Sequence, residues 1–209
     1  MKGLSFSQEM MVQWLKGNKS ITRRLMNPQP SPANINSDGS KNMPDGWLRW
    51  KPRPKGASLV WNPLGQWPDR FEDYASYLPG ETVYIKETWC QPVMRDWKSK
   101  TESCHKYNAI EYAADMGIER FPIGGNFTPR REQFRWRSPR YMPEWAARSH
   151  ALIISVRPEK LNSMSDSEVI KEGVDNIKAF MLLWDKIHKG GLVWEKNPWV
   201  WVVTLERCQ

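Results

Sequence analysis

Cysteine is scarce and odd in number: Cys90, Cys104 and Cys208 are the three in 209 residues. Three thiols build no disulfide framework, and residues 1–15 lack the charged-then-apolar order of a secretion signal, so a reducing cytoplasm is expected. Cys104 with His105 makes half a zinc pattern, but no second pair stands at ligand spacing. Neither a metal nor another cofactor is expected. Long apolar runs are missing too, and none approaches the roughly 20 residues that a membrane span needs. No membrane partner is expected. Acidic residues are in deficit, 23 against 31 Lys and Arg, which leaves a net charge of +8. Such a balance favours an anionic partner, and nucleic acid is the commonest one.

What the chain has in excess is tryptophan, 13 residues, and proline, 16 residues. With 40% hydrophobic residues it is long enough to bury a core as one domain spanning 1–209, despite a mean hydropathy of −0.69. Indole rings are large and each N–H wants a partner, so some tryptophans belong in grooves or at the surface.

The chain is organised around Gly17-Asn18-Lys19-Ser20-Ile21-Thr22-Arg23-Arg24. Residues 1–5 read as a short entry strand. Ser5 with Gln8 makes a capping-box pattern, and Met10, Met11, Trp14 and Leu15 give helical spacing. Gly17 fits the position just past a helix end, where positive φ is needed. Lys19 then lies in a turn and Ser20 to Leu25 run out as a strand. There Ser20, Thr22 and Arg24 share one face, and Ile21, Arg23 and Leu25 the other.

Two stretches break the regular pattern. Proline recurs through 27–77, too densely for regular elements to be expected, yet Trp47 to Lys55 alternates aromatic and basic groups, with Trp50 at its centre. The second stretch, 91–140, ends in Arg130, Arg131, Phe134, Arg135, Trp136, Arg137 and Arg140, with Tyr141 next. Arginines interleaved with aromatics suit single-stranded nucleic acid, guanidiniums meeting phosphates and rings stacking on bases. A solvated arginine-rich hairpin gives the same pattern. Between and after these insertions order returns. Val83 to Trp89 alternates as a strand after the Pro79-Gly80 turn, and Ala151 to Val156 is a buried-strand run. Ser165 with Glu168 opens a short helix ending at Gly173, and Ile177 to Ile187 spaces a second. Trp199 to Arg207 alternates as a last strand. The pattern predicts a mixed α/β (α+β) class: a small barrel with short connecting helices and two long irregular insertions.

Five pieces together resemble the ASCH-domain family of the PUA-like superfamily: the KGLSFS start, GNKSITRR, PGETVYIKETW, MPEWAARSHALIISVRPEKL and the NPWVWVVTLER ending. The arrangement is most similar to the larger ASCH proteins encoded in prophages. It covers roughly residues 1–26, 78–90 and 141–209, and neither insertion is part of it. The resemblance implies a PUA-like β-barrel in a bacterial or phage-encoded protein that handles RNA, single-stranded nucleic acid or a modified nucleoside.

Some small members of that family are amidohydrolases that remove the acetyl group from 4-acetylcytidine. They use a Lys and a Thr of a Gly-x-Lys-x-x-Thr turn with a Glu after a short helix. The turn matches here as Gly17, Lys19 and Thr22, and the best-placed acid is Glu172. In that reading Thr22 is the nucleophile and Lys19 its base, its pKa lowered by Arg23 and Arg24, while Glu172 passes a proton to the departing nitrogen. The same resemblance admits a ribonuclease. It also admits a non-catalytic reader that binds nucleic acid through Arg23, Arg24, Trp50 and the arginines of the second insertion.

Overall fold

Strand β1 (Lys2–Ser5) runs parallel to β6 (Thr82–Lys86), pairing Lys2 with Val83 and Ser5 with Lys86. These coordinates are a computed structural model that describes residues 1–32, 48–50, 59–61, 75–90, 93–94, 105–106, 110–115, 136–188 and 191–208. The chain forms two units: Met1–Lys19 with Thr82–Ala151 and Arg207–Gln209, and Ser20–Glu81 with Leu152–Glu206.

In the first unit, helix α1 (Gln8–Leu15) follows β1. Its cap is Ser7, whose side chain accepts from the Met10 amide, and this corrects the expected Ser5 box. Ser5 is held in the β1 ladder opposite Lys86, so the helix cannot begin until Phe6 has turned its ring into the core. Gln8 instead donates to the Ala113 carbonyl at 2.8 Å. The helix buries Met11 and Trp14, and Trp14 meets Phe6 edge-on at 5.8 Å. Gly17, with φ of +79°, ends it as expected. Strand β7 (Trp89–Cys90) pairs with β10 (Glu111–Tyr112), and β8 (Val93–Met94) with β9 (His105–Lys106).

In the second unit, β12 (Trp199–Arg207) lies between β11 (His150–Lys160) and β2 (Ile21–Leu25). Its antiparallel register with β2 sets Val203 opposite Thr22 and Val202 opposite Arg23. Helices α2 (Asp166–Lys171) and α3 (Ile177–Ile187) pack Val169, Phe180 and Trp184 onto Ile21, Leu161, Val200 and Val202. Strand β11 outruns the expected 151–156, continuing through four polar-rich residues to Lys160. Three short strands, β3 (Ser31–Pro32), β4 (Leu48–Trp50) and β5 (Leu59–Trp61), pair antiparallel inside the proline-rich stretch. There, cross-strand pairing overrides the local bias against order. The first unit holds the parallel β1–β6 pair and the second the antiparallel β12–β2 pair, and with three α-helices among the described residues the class is α+β. No pairing among the described residues closes the strands into a ring. No helix among them is long and apolar enough to cross a membrane.

Candidate functional site

Arg23 occupies the β2 face that also carries Ile21 and Leu25, a parity that drives it toward the core. Its side chain is 0% exposed, so its charge must be met inside. Three carboxylates meet it: Glu172 at 3.2 Å, Glu168 at 2.7 Å and Glu159 at 3.3 Å. Arg157 closes the far side, donating to Glu159 at 3.0 Å and to Glu168 at a shorter distance still. Burial pushes the Glu168 carboxyl up, but the Arg23 charge, the Ser165 amide and Arg157 outweigh it and hold the group below its usual range. The Ser165–Glu168 box therefore serves two ends, since Glu168 accepts from the Ser165 amide and from Arg23 together. Arg23 Nε is buried with no hydrogen-bond partner among the described residues.

Glu172 reaches this cluster as the last residue of the α2 turn, before Gly173 with φ of +83° reverses the chain. The Ser20 amide donates to the Lys171 carbonyl at 2.8 Å, which ties the start of β2 to the end of α2. Glu172 and Thr22 are 1% and 2% exposed. Thr22 lies in β2, which is paired with β12 along its length, and it is buried. Lys19, in the first unit, is 2% exposed, with Nζ 5.2 Å from the centre of the Phe6 ring. Burial pulls the Arg24 guanidinium below its usual value, against the opposing pull of Tyr77 and Glu172. Burial also lowers His188, with Arg24 adding to the effect and Asp185 resisting it. That imidazole stacks on Trp184 at 4.1 Å.

The first unit has its own buried carboxylate. Glu87 is 1% exposed and is gripped by Arg148 through two bonds of 2.9 Å, while Asp115 takes a third guanidinium nitrogen at 2.6 Å. The Arg148 guanidinium lies over Tyr112, 4.1 Å from the ring centre. A cleft of about 520 Å³ is lined by Arg148, Ser149, Arg207 and Cys208. Burial pushes the nearby strand residue Cys90 up to about 11, with Glu111 adding to the rise, so it is no nucleophile at neutral pH.

At the surface of this unit, Arg137 and Trp136 are exposed as expected. The Arg137 guanidinium lies 5.1 Å from the ring centre of buried Trp89, and the two residues exchange backbone hydrogen bonds. Arg130, Arg131 and Arg135 lie outside the described residues. Trp50 falls in β4 by its backbone, and its side chain lies outside the description as well.

Comparison with protein-family models, with curated proteins and with solved structures finds no match. The geometry therefore stands by itself.

The sequence reading passed over the partners of Arg23 and the whole Arg148 cluster. One signal was available for Arg23: a guanidinium between two aliphatic residues of the same strand parity must be buried and paired. Arg140 and Tyr141 close the arginine–aromatic stretch already noted in the sequence, whereas Trp145 carried no functional expectation. Tyr141 and Trp145 are 71% and 66% exposed on two short 3-10 turns (Pro139–Tyr141 and Glu144–Ala146).

Proposed function

We propose that the chain handles nucleic acid as a binding protein of the ASCH type, its strands completing a small PUA-like barrel. The observation that carries this reading is exposed Arg137, braced on buried Trp89 and next in sequence to exposed Trp136, in a chain of net charge +8. An arginine already stacked on an indole has lost much of its side-chain freedom, so its remaining donors meet a phosphate at smaller entropic cost. Arg130, Arg131 and Arg135 extend the same basic segment in sequence. The test is the anisotropy of a labelled single-stranded RNA titrated at several salt concentrations. Affinity is expected to fall steeply with salt, each phosphate contact contributing about 0.7 to the log–log slope. No binding at 50 mM salt sinks the reading.

A second reading keeps Lys19, Thr22 and Glu172 as a metal-independent amidohydrolase set acting on an acylated cytidine. It rests on the Gly17, Lys19 and Thr22 turn, and on the Ser20–Lys171 hydrogen bond that ties the strand carrying Thr22 to the helix ending at Glu172. Thr22 Oγ would add to the acyl carbonyl, Lys19 would take its proton, and Glu172 would protonate the leaving amine; water then frees the acyl-threonine. Turnover of 4-acetylcytidine followed by mass spectrometry decides it. Thr22→Ala and Lys19→Ala should each abolish conversion, and Glu172→Gln should slow it by on the order of 10² to 10⁴. Wild-type protein that leaves this nucleoside intact while binding RNA removes the second reading. Cleavage of the RNA itself, abolished by the same substitutions, would identify a ribonuclease.

A further inference from the structure

Tyr141 and Trp145 are large rings held outward by a segment whose other residues are fastened down. Ser138 Oγ accepts from the Arg140 amide, and the Tyr141 and Met142 amides return to Ser138 and Pro139 at 3.0 Å. Met142 and Ala146 are 2% and 1% exposed and pack with Trp89, so each 3-10 turn is followed or closed by a buried anchor. The Tyr112 hydroxyl donates to the Ala146 carbonyl at 2.9 Å, and Lys86 Nζ donates to the Arg140 carbonyl at 2.7 Å. Trp145 stands edge-on against Trp89 at 5.9 Å. Burying a tyrosine and a tryptophan normally stabilises a fold, yet here the turns are secured and the rings are left in water.

We infer that Tyr141 and Trp145 form a stacking ledge for single-stranded nucleic acid, with Arg137 and Arg140 meeting its phosphates. This rests on the nucleic-acid reading above and deepens it by naming unpaired bases as what the surface takes. Charge fits: Arg137 and Arg140 are exposed, while the one acidic side chain of the two turns, Glu144, is neutralised by the N-terminal ammonium at 2.9 Å. The geometry selects the single strand. In a duplex the base faces are occupied by neighbouring bases, whereas splayed bases offer them to aromatic rings. The ledge is preformed, so little order has to be imposed on binding.

The probe is a fluorescein-labelled 12-nucleotide RNA of mixed sequence, offered single-stranded and as its duplex, with thermal melting as the control for folding. Wild type should prefer the single strand. Tyr141→Ala and Trp145→Ala should each weaken single-strand binding by roughly tenfold or more while leaving the salt slope unchanged, since no phosphate contact is lost. Tyr141→Phe, which keeps the ring, should bind as wild type does. Arg137→Gln with Arg140→Gln should instead flatten the slope. If the double aromatic variant binds the single strand with wild-type affinity, the ledge is overturned and the nucleic-acid reading stands. Tighter binding of the duplex also overturns the ledge alone. Wild type that binds neither form overturns both.

Discussion

A buried guanidinium surrounded by three carboxylates has no neutral way out, because arginine does not deprotonate in the interior. Arg23 is therefore the residue on which the second unit depends most. Glu172 is 1% exposed, and Glu168 and Glu159 are 18% and 16% exposed by side chain. Arg23→Met leaves these acids facing one another around an apolar chain, with Arg157 as the nearest remaining guanidinium. Removing one partner of a buried pair costs about 3–5 kcal/mol, since the surviving charge keeps its desolvation penalty. Arg23→Lys should lose less, as a point charge can still serve the nearest acid though not three at once. Urea unfolding of the two variants checks this. A methionine variant within about 1 kcal/mol of wild type would show that the cluster is not stabilised through Arg23.

Helix α3 is the element whose bounds follow most directly from spacing. Phe180 and Trp184 fall one turn apart on its buried stripe, and Asn176 caps it, Oδ1 accepting from the Ala179 amide at 2.9 Å. Asn176→Ala should cost about 0.5–2 kcal/mol, and Asn176→Asp should retain most of the stability. Thermal melting reads the difference, about 2–4 °C per kcal/mol for a chain of this length. Equal melting of all three proteins would remove the cap argument. Strand β12 was equally legible, because Trp199 to Val203 is an apolar run of Trp and Val and the residues after it alternate. Strand β11 was not: Arg157, Pro158 and Glu159 look like a strand's end, and they stay extended beside β12 with the ion pairs of Arg157 and Glu159 around Glu168 and Arg23. Ser5 misled because a capping pattern is local, while the ladder that holds it in β1 comes from a strand some 80 residues away. The site divides the same way. The inward parity of Arg23 was written in β2, but its acids lie 136 to 149 residues on, a separation that no spacing rule spans. The ledge divides likewise. Tyr141 was legible as a ring of the arginine-rich stretch, whereas Trp145 was not, because its outward side follows from the burial of Met142 and Ala146 around it.

At the scale of the whole molecule, the two buried carboxylate clusters respond to acid in opposite directions. Glu168 is held below its usual value of 4.5, so the folded form binds its proton less readily than the unfolded chain does. Its contribution to stability is present above about pH 4.5 and is lost as pH falls through the lower folded value. Glu87 is raised, chiefly by burial and further by Asp115, against the hydrogen bonds and charge of Arg148. Its contribution is complete below about pH 4.5 and is lost as pH rises through the higher folded value. Stability measured by urea unfolding between about pH 3 and pH 7 should therefore carry two separable limbs. Glu168→Gln should flatten the acid limb and leave the upper one, because the amide cannot take up the proton that the unfolded chain would bind. Glu87→Gln should do the reverse. The limbs differ in salt response as well, since the Arg157 side of the Glu168 cluster is 41% exposed and screened, whereas Glu87 is enclosed at 1%. An acid limb that survives unchanged in Glu168→Gln would mean that other carboxylates govern the loss of stability at low pH, and would separate the Arg23 cluster from the acid response of the fold.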